Sequence, residues 1–335
     1  MPSTHSADRP LALGTVGLLS GPTPLECWER FGQLVGLDVW AKRDDALTLG
    51  LGGSKLRKLD AILYAAVQSS ATTVLTTGAI QSNHCCLTAA AAARLGLKCV
   101  LFLRGAPPEE ELGNVLLDRL FGAEVVFLGD VSHAEADHRM AVHAAELATL
   151  SCRPFVIPFG GATAEGTAAH VLATQELADQ CLGARLQPRV IIVAAGSGST
   201  FAGICLGAEK FLPDTRVIGV SASWSGERLR EESMRLIGEA SSLLGLSTHL
   251  TPEVLELRAE FIGPGYTLAS DGARDALAAV AATQGVLLDL TYTSKAAHAL
   301  MTLARSGEIP LGPVIFWHTG GVAEIFSRVP HDLGL

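Results

Sequence analysis

The residues with the plainest chemical potential lie in Gly52-Gly53-Ser54-Lys55-Leu56-Arg57-Lys58-Leu59, a glycine pair followed by three basic side chains. Paired glycines let the backbone turn tightly and approach a ligand closely. Leu56, Leu59, Ile62 and Leu63 then recur at helical spacing, which puts Lys55 near a helix start. Unpaired N–H groups and the helix dipole there disfavour a further positive charge, so a lysine amine is kept neutral and nucleophilic. Taken alone, the stretch fits a basic, solvated helix end equally well.

A second group, Gly196-Ser197-Gly198-Ser199-Thr200, follows an apolar strand and opens a helix. Backbone N–H groups and three hydroxyls at a helix N-terminus make a phosphate cradle. It is not the dinucleotide fingerprint, because Phe201 occupies the third glycine position and no acidic residue ends the next strand, Arg216 to Ser221. Nor is Lys55 a P-loop lysine, since Leu56 stands where a hydroxyl must bind magnesium. A reactive lysine with a separate phosphate cradle, and no nucleotide or metal motif, points to pyridoxal 5'-phosphate.

A third group, Thr77-Gly78-Ala79-Ile80-Gln81-Ser82-Asn83-His84, again joins a strand end to a helix start. Ser82 suits a helix N-cap, and the Ser82 and Asn83 amides equally suit a substrate carboxylate. Gln81, Ser82, Asn83 and His84 are therefore candidate substrate contacts. Tyr266 and Tyr292 fall in polar places from which phenols can move protons, and Thr319 follows the buried strand Val314 to Trp317.

The elements that must position these groups alternate. A strand near Leu37 to Asp44 leads into the Lys55 loop. Apolar runs at Val74, Cys99, Val125 and Phe155 are separated by helical stretches Ser82 to Leu95, Glu109 to Phe121 and Ala134 to Leu150, the βαβ pattern of a parallel sheet. A second series holds helix Glu165 to Leu182, strand Val190 to Val193, helix Phe201 to Phe211, strand Arg216 to Val220, helices Leu229 to Leu244 and Asp271 to Thr283, and strand Val314 to Trp317. The two series divide near Phe159-Gly160-Gly161, and 335 residues leave room for two domains.

Composition narrows the function further. A net charge of -9 with scattered basic residues argues against nucleic acid. Seven cysteines without a C-x-x-C pair fit a reducing, cytoplasmic setting, with no zinc or other metal site at recognisable spacing. The apolar run Leu11 to Leu19 contains glycines and lacks a basic cluster before it, so no secretion signal is expected. No apolar run approaches the roughly 18 residues needed to cross a bilayer.

With these motifs assembled, the chain resembles the family of D-cysteine desulfhydrase and 1-aminocyclopropane-1-carboxylate deaminase, within the tryptophan-synthase-β-like class of pyridoxal-phosphate enzymes. Lys42-Arg43-Asp44-Asp45, the Lys55 stretch, Gly78 to His84, Gly196 to Thr200 and His318-Thr319-Gly320-Gly321 carry the likeness. It implies an α/β fold of two open, twisted, mostly parallel sheets flanked by helices, with the cofactor between a larger domain (1–58 and 162–335) and a smaller one (59–161). It also implies a homodimer acting on a small amino acid.

By the same resemblance Lys55 holds the cofactor as a Schiff base. Lys58, Asn83 and Gly196, Ser197, Gly198, Ser199 and Thr200 neighbour the cofactor or its phosphate, and Thr319 its pyridine nitrogen. Ser82, Tyr266 and Tyr292 work with Lys55 on the substrate. Thr293, where the deaminases carry Glu, and His84, where they carry Gln, look desulfhydrase-like. The implied reaction is α,β-elimination from D-cysteine or a related β-substituted amino acid, giving pyruvate, ammonia and sulfide. Alternatives are cyclopropane ring-opening deamination, cysteate sulfo-lyase activity, and a catalytically silent ligand-binding relative. Ser54, Ala162-Thr163, His170 and Thr291 depart from the family pattern, which implies a reshaped pocket with Ser54 a first place to look.

Overall fold

A computed structural model describes residues 11–334. In chain order the elements are β1 (Leu25–Cys27), α1 (Glu29–Val35), β2 (Asp38–Arg43), α2 (Lys55–Gln68), β3 (Thr73–Ala79), α3 (Asn83–Leu95), β4 (Lys98–Arg104), α4 (Asn114–Leu120), β5 (Glu124–Phe127), α5 (His133–Thr149) and β6 (Pro154–Ile157). There follow α6 (Ala164–Ala184), β7 (Val190–Ala195), α7 (Ser199–Phe211), β8 (Arg216–Ser221), α8 (Gly226–Leu244), β9 (Glu256–Arg258), α9 (Asp271–Gln284), α10 (Thr293–Arg305) and β10 (Pro313–His318).

The α/β architecture expected from the alternating pattern is present. One sheet has the order β1-β2-β10-β7-β8-β9 and the other β5-β4-β3-β6. Every ladder is parallel except β1 against β2. Parallel strands covered on both faces read as unbroken apolar runs. Thus Val190 and Ile192 of β7 pack on one face of the larger sheet while Ile191 and Val193 pack on the other, all fully buried.

Strand order reverses direction at one point in each sheet, between β10 and β7 and between β3 and β6. The loops leaving these strands diverge there and open a crevice at the carboxyl ends, where α/β sheets bind ligands. Gly196 and Thr319 follow β7 and β10, while Ser82 and Phe159 follow β3 and β6. Both crevices line one cavity.

The segment before β1 ties the two cores together. Leu11 and Leu13 pack on the larger sheet's core, and Val16, Leu18 and Leu19 on the smaller one's. The Val16 N–H donates to the Asp60 carbonyl at 3.0 Å and the Leu18 N–H to the Asp60 carboxylate at 2.8 Å.

The sequence expectation lacks β1, α1, β9 and α10 and starts α4 too early. Helix α4 starts at Asn114 rather than Glu109, because Gly113 turns the chain at φ 61° and the Gln81 side chain takes the Asn114 N–H at 2.8 Å. Helix α10 carries no strong start signal in its first turn, since its cap comes from Asp289, four residues before Thr293. Both Asp289 oxygens accept backbone N–H groups, Oδ1 from Thr293 at 2.8 Å and Oδ2 from Tyr292 at 2.9 Å.

Helix α2, which opens with Lys55, is held by a buried polar network. Arg57 donates from Nε to Asp44 Oδ1 at 2.9 Å and from Nη1 to Glu176 Oε2 on α6 at 2.9 Å. The other Asp44 oxygen accepts from Trp317 Nε1 at 2.8 Å, and Lys42 also pairs with Glu176. Burial works against the charge on Glu176, yet Arg57 and Lys42 hold its carboxyl down to about 2, from an ordinary 4.5. A depressed carboxylate stabilises the fold fully above its unfolded value and loses that contribution as pH falls toward the folded one. Glu176→Gln should therefore lower unfolding free energy by roughly 2–4 kcal/mol near neutrality. In denaturant titrations the gap from the parent should close between about pH 4.5 and pH 2; a gap that stays constant with pH would overturn this account.

Candidate active site

The turn before Lys55 is built by close backbone packing. Gly52 has φ 76° and Gly53 φ 125°, both in the left-handed region that favours glycine. A methyl group on Gly53 would meet the Thr319 carbonyl oxygen at 2.9 Å, and one on Gly52 would meet the Leu47 carbonyl at 2.1 Å. The Ser54 N–H donates to the Thr319 carbonyl at 2.9 Å. The lysine loop and the turn after β10 are thereby fixed against each other.

Lys55 lines the cavity together with Ser82, Asn83, His84, Gly196, Ser197, Gly198, Thr200, Tyr292 and Thr319. Burial pushes the Lys55 amine down to about 8, against an upward pull from Asp289. Such an amine is available as a neutral nucleophile at modestly alkaline pH. Lys58 lies one helical turn on, fully buried outside the cavity wall, and donates to the Gly160 carbonyl at 3.1 Å. Its value also falls, from burial first and then from Lys55.

Ser82 caps its helix as expected and also lies on the cavity. Its hydroxyl accepts the Cys85 N–H at 3.2 Å. His84 has a fixed tautomer. Thr76 Oγ1 spends its proton on the Ile157 carbonyl at 2.9 Å, so at 3.0 Å it accepts from His84 Nε2. Nδ1 is left buried with a lone pair and no partner. Burial, then Lys55 and Lys58, keep this ring neutral.

Besides Lys58, three of the expected contacts lie outside the inner cavity wall. The Gln81 side chain is committed to the loop before α4, receiving the Asn114 N–H and donating to the Leu112 carbonyl at 3.0 Å. Ser199 is fully buried and accepts from Thr167 Oγ1 at 3.0 Å on α6. Tyr266 reaches the cavity only through Tyr292, to whose hydroxyl it is hydrogen-bonded, the rings meeting edge-on at 5.8 Å. Burial raises both phenols, Tyr266 to about 12. Ser54, the departure beside the lysine, is also fully buried and does not line the cavity.

Several residues that hold the site carried no motif. Asp289 accepts at both oxygens from the turn that presents Tyr292, and burial, with Glu324 nearby, raises it to about 7. Thr293, standing where a catalytic carboxylate was at issue, donates its hydroxyl to Asp289 and is fully buried. Lys295 donates to the Gly265 carbonyl at 2.7 Å and the Tyr266 carbonyl at 3.1 Å, fixing the second tyrosine's loop. Phe159 and Phe201 add apolar wall. Cys85 and Cys86 are buried in α3, and burial together with Asp118 raises both thiols, which makes them inert packing groups.

The Gly196 to Thr200 loop has the donor set of an anion site. A methyl on Gly196 would meet the Tyr292 ring at 2.9 Å, and Gly198 has φ 83°. No side chain caps the first N–H groups of α7, and the Thr200 hydroxyl is buried without a partner. These are the groups a bound phosphate satisfies. A neutral-capable lysine and a phosphate cradle in one cavity fit pyridoxal phosphate.

Comparison with known proteins agrees. Residues 16–320 match the family model described as pyridoxal-phosphate dependent enzyme. The D-cysteine desulfhydrase of Salmonella choleraesuis (strain SC-B67) is 35% identical over 320 residues, covering 94% of this chain and 96% of that one. The enzyme of the same name from Salmonella paratyphi C (strain RKS4594) is 35% identical over the same share. A crystal structure of an ACC deaminase homologue superposes with a TM-score of 0.90 at 35% identity, covering 96% of each chain. The processed form of threonine deaminase isoform 2 from Solanum lycopersicum shares the fold, with a TM-score of 0.62 at 16% identity over 90% of this chain and 80% of that one. This chain belongs to the family of pyridoxal-phosphate dependent enzymes.

Proposed function

We propose that the protein is a carbon-sulfur lyase that removes the α-proton and the β-substituent of D-cysteine or a close analogue. The observation that carries this reading is the convergence of Lys55, the Ser82 helix start and the Tyr266–Tyr292 pair on one cavity. Bound pyridoxal phosphate supplies the electron sink that loosens bonds at the amino acid's Cα. Lys55, the Gly196 to Thr200 loop, Asn83 and Thr319 are the residues that would hold it, with Lys58 buried behind them on the Gly160 carbonyl.

The chain's own groups then have distinct tasks. Backbone amides at the start of α3, beside Ser82 and Asn83, hold the substrate carboxylate. Lys55, neutral in a useful fraction near its value of about 8, takes the proton from Cα. The Cα–H electron pair moves toward the Cα–Cβ bond as the Cβ–S pair leaves with sulfur. Tyr292, with its proton held high by burial and by Tyr266, hands a proton to the departing thiolate. Phe159 and Phe201 limit water at the reacting carbon. The released enamine hydrolyses to pyruvate and ammonia.

Thr319, which lines the cavity, supports elimination over slower carbanion chemistry: were its hydroxyl to face the cofactor's ring nitrogen, it could not donate a proton there as a carboxylic acid would. Cyclopropane ring opening finds less support, because Thr293 is fully buried with its hydroxyl spent on Asp289 and offers no carboxylate to the cavity.

The same reading includes a larger domain (1–58 and 162–335), a smaller one (59–161) and a cytoplasmic homodimer. The exposed stripe Leu112, Leu116 and Leu120, with Phe326 and Val329, supports the pairing of copies. Sedimentation should give twice the chain mass at micromolar concentration; a monomer there would overturn the dimer.

Lys55→Ala should abolish turnover, at least about a thousandfold, with the circular dichroism of the parent. Borohydride should trap cofactor on the Lys55 peptide and nowhere else. In apoprotein, cofactor capture should quicken with pH and level off just above about 8, because the neutral amine is the reacting form. Capture still climbing at about pH 10 would mean a solvated lysine at its ordinary value.

A panel of D- and L-cysteine, cysteate, S-substituted cysteines and 1-aminocyclopropane-1-carboxylate, read separately for pyruvate, sulfide and 2-oxobutyrate, decides the reaction. Sulfide and pyruvate in equal amounts from D-cysteine support the proposal. Oxobutyrate alone replaces it with ring opening, and no product from any compound leaves a ligand-binding relative.

A further inference from the structure

We propose that Arg104 reads the substrate, and that the outer cavity beside the site receives an amino acid whose side chain carries a second acidic group. The inference rests on the carbon-sulfur lyase reading and narrows its substrate class. Arg104 ends β4 and pairs in register with Ala79 of β3, the strand whose end leads through Gln81 to Ser82. It lines a cavity of about 610 Å³ that also takes in Gln81, Tyr266, Glu110, Asp130 and Arg328.

The two cavities have no lining residue in common, but side chains of one meet side chains of the other at two places. The Arg104 guanidinium carbon lies 5.9 Å from the ring centre of Phe159, which lines the inner cavity. Tyr266 lines the outer cavity and is hydrogen-bonded to Tyr292 of the inner one.

Arg104 is chemically unspent. Its Nε–H is buried with no acceptor, and none of the ion pairs among the described residues includes it. Arg328, the other cation of the cavity, is paired with Glu324. Glu110 and Asp130 are exposed at the rim, where water solvates them, and neither pairs with Arg104. A buried guanidinium N–H without an acceptor is costly to keep, and a planar anion such as a carboxylate or sulfonate matches its fork. Gln81, next to Ser82 in the chain, is already committed to α4, so Arg104 is the unpaired cation that faces this space.

The class that fits is a β-substituted alanine with an acidic β-group, such as cysteate or an S-carboxyalkyl cysteine. Glutamate and glutamine, which lack a leaving group, probe the charge without turnover. Calorimetry on the cofactor-loaded protein should show one enantiomer of glutamate binding about tenfold or more tighter than the matching glutamine. Arg104→Gln should bring the ratio close to one, and Arg104→Lys should restore part of it. Both ligands are titrated on one sample, so loss of folded protein lowers both and leaves the ratio unchanged. In turnover, S-carboxymethylcysteine should exceed its carbamoyl analogue in kcat/KM, mainly through KM, and Arg104→Gln should erase that preference. Equal affinity for glutamate and glutamine in the parent, or a ratio untouched by Arg104→Gln, would overturn the inference. Protein that carries no cofactor, or turns over no β-substituted amino acid, would sink the lyase reading instead.

Discussion

Arg57 sits where the reactive lysine, the larger sheet and helix α6 must agree on one geometry. Its guanidinium joins Asp44 at the end of β2 to Glu176 in the middle of α6, and Asp44 in turn grips the indole of Trp317 on β10. A planar fork can satisfy two carboxylates at fixed angles, which an ammonium on a flexible stem cannot. Lys55 lies two residues before Arg57 on the same helix, so the network that orients Arg57 also orients the first turn that carries the amine. Burying these charges carries a desolvation cost that well-packed apolar groups would avoid. The return is positional: three elements far apart in sequence meet with little freedom about α2.

Around that fixed lysine the site is built to hold few net charges. Lys55, Lys58 and His84 all have lowered values, burial being the first cause for each. Asp289, nearest in influence, is itself raised to about 7 by burial and Glu324. Low dielectric makes each remaining charge count for more. A phosphate at the start of α7 would be held by the uncapped N–H donors and the helix dipole rather than by an ion pair.

Most of the scaffold was legible because parallel strands declare themselves as short apolar runs and crossover helices as periodic stretches. The Lys55, Ser82 and Gly196 groups were legible because glycine and hydroxyl residues at strand ends have local reasons to be there. What escaped is non-local. Helix α10 takes its cap from Asp289, and α4 takes its from Gln81, thirty-odd residues away in the chain. Gln81 reads as a substrate contact because its neighbours are, and only the packed loop shows that its amide is used up. Ser54 reads as a pocket position because it precedes the lysine, yet its side chain turns into the core. Arg104 has no motif at all: an arginine ending a strand is ordinary until the absence of any partner is seen.

The two sheets divide the labour in a way their topology explains. Each has a single point where strand order reverses, and the two points face one cavity. The larger sheet brings Gly196 to Thr200, Thr319 and Tyr292, groups suited to a cofactor and general to the chemistry. The smaller one brings Ser82, Phe159 and Arg104 from β3, β6 and β4, groups suited to a substrate. Changes confined to the smaller sheet's loops can therefore alter which side chain is accepted while the phosphate cradle and the lysine stay as they are. The Thr319 backbone is packed against Gly53 and Ser54, so a shift of that turn disturbs the lysine loop at once. Arg104 touches Phe159 and solvent-filled space, so it is free to differ. On the proposed roles, specificity sits where substitution is mechanically cheap, and the reaction where it is not.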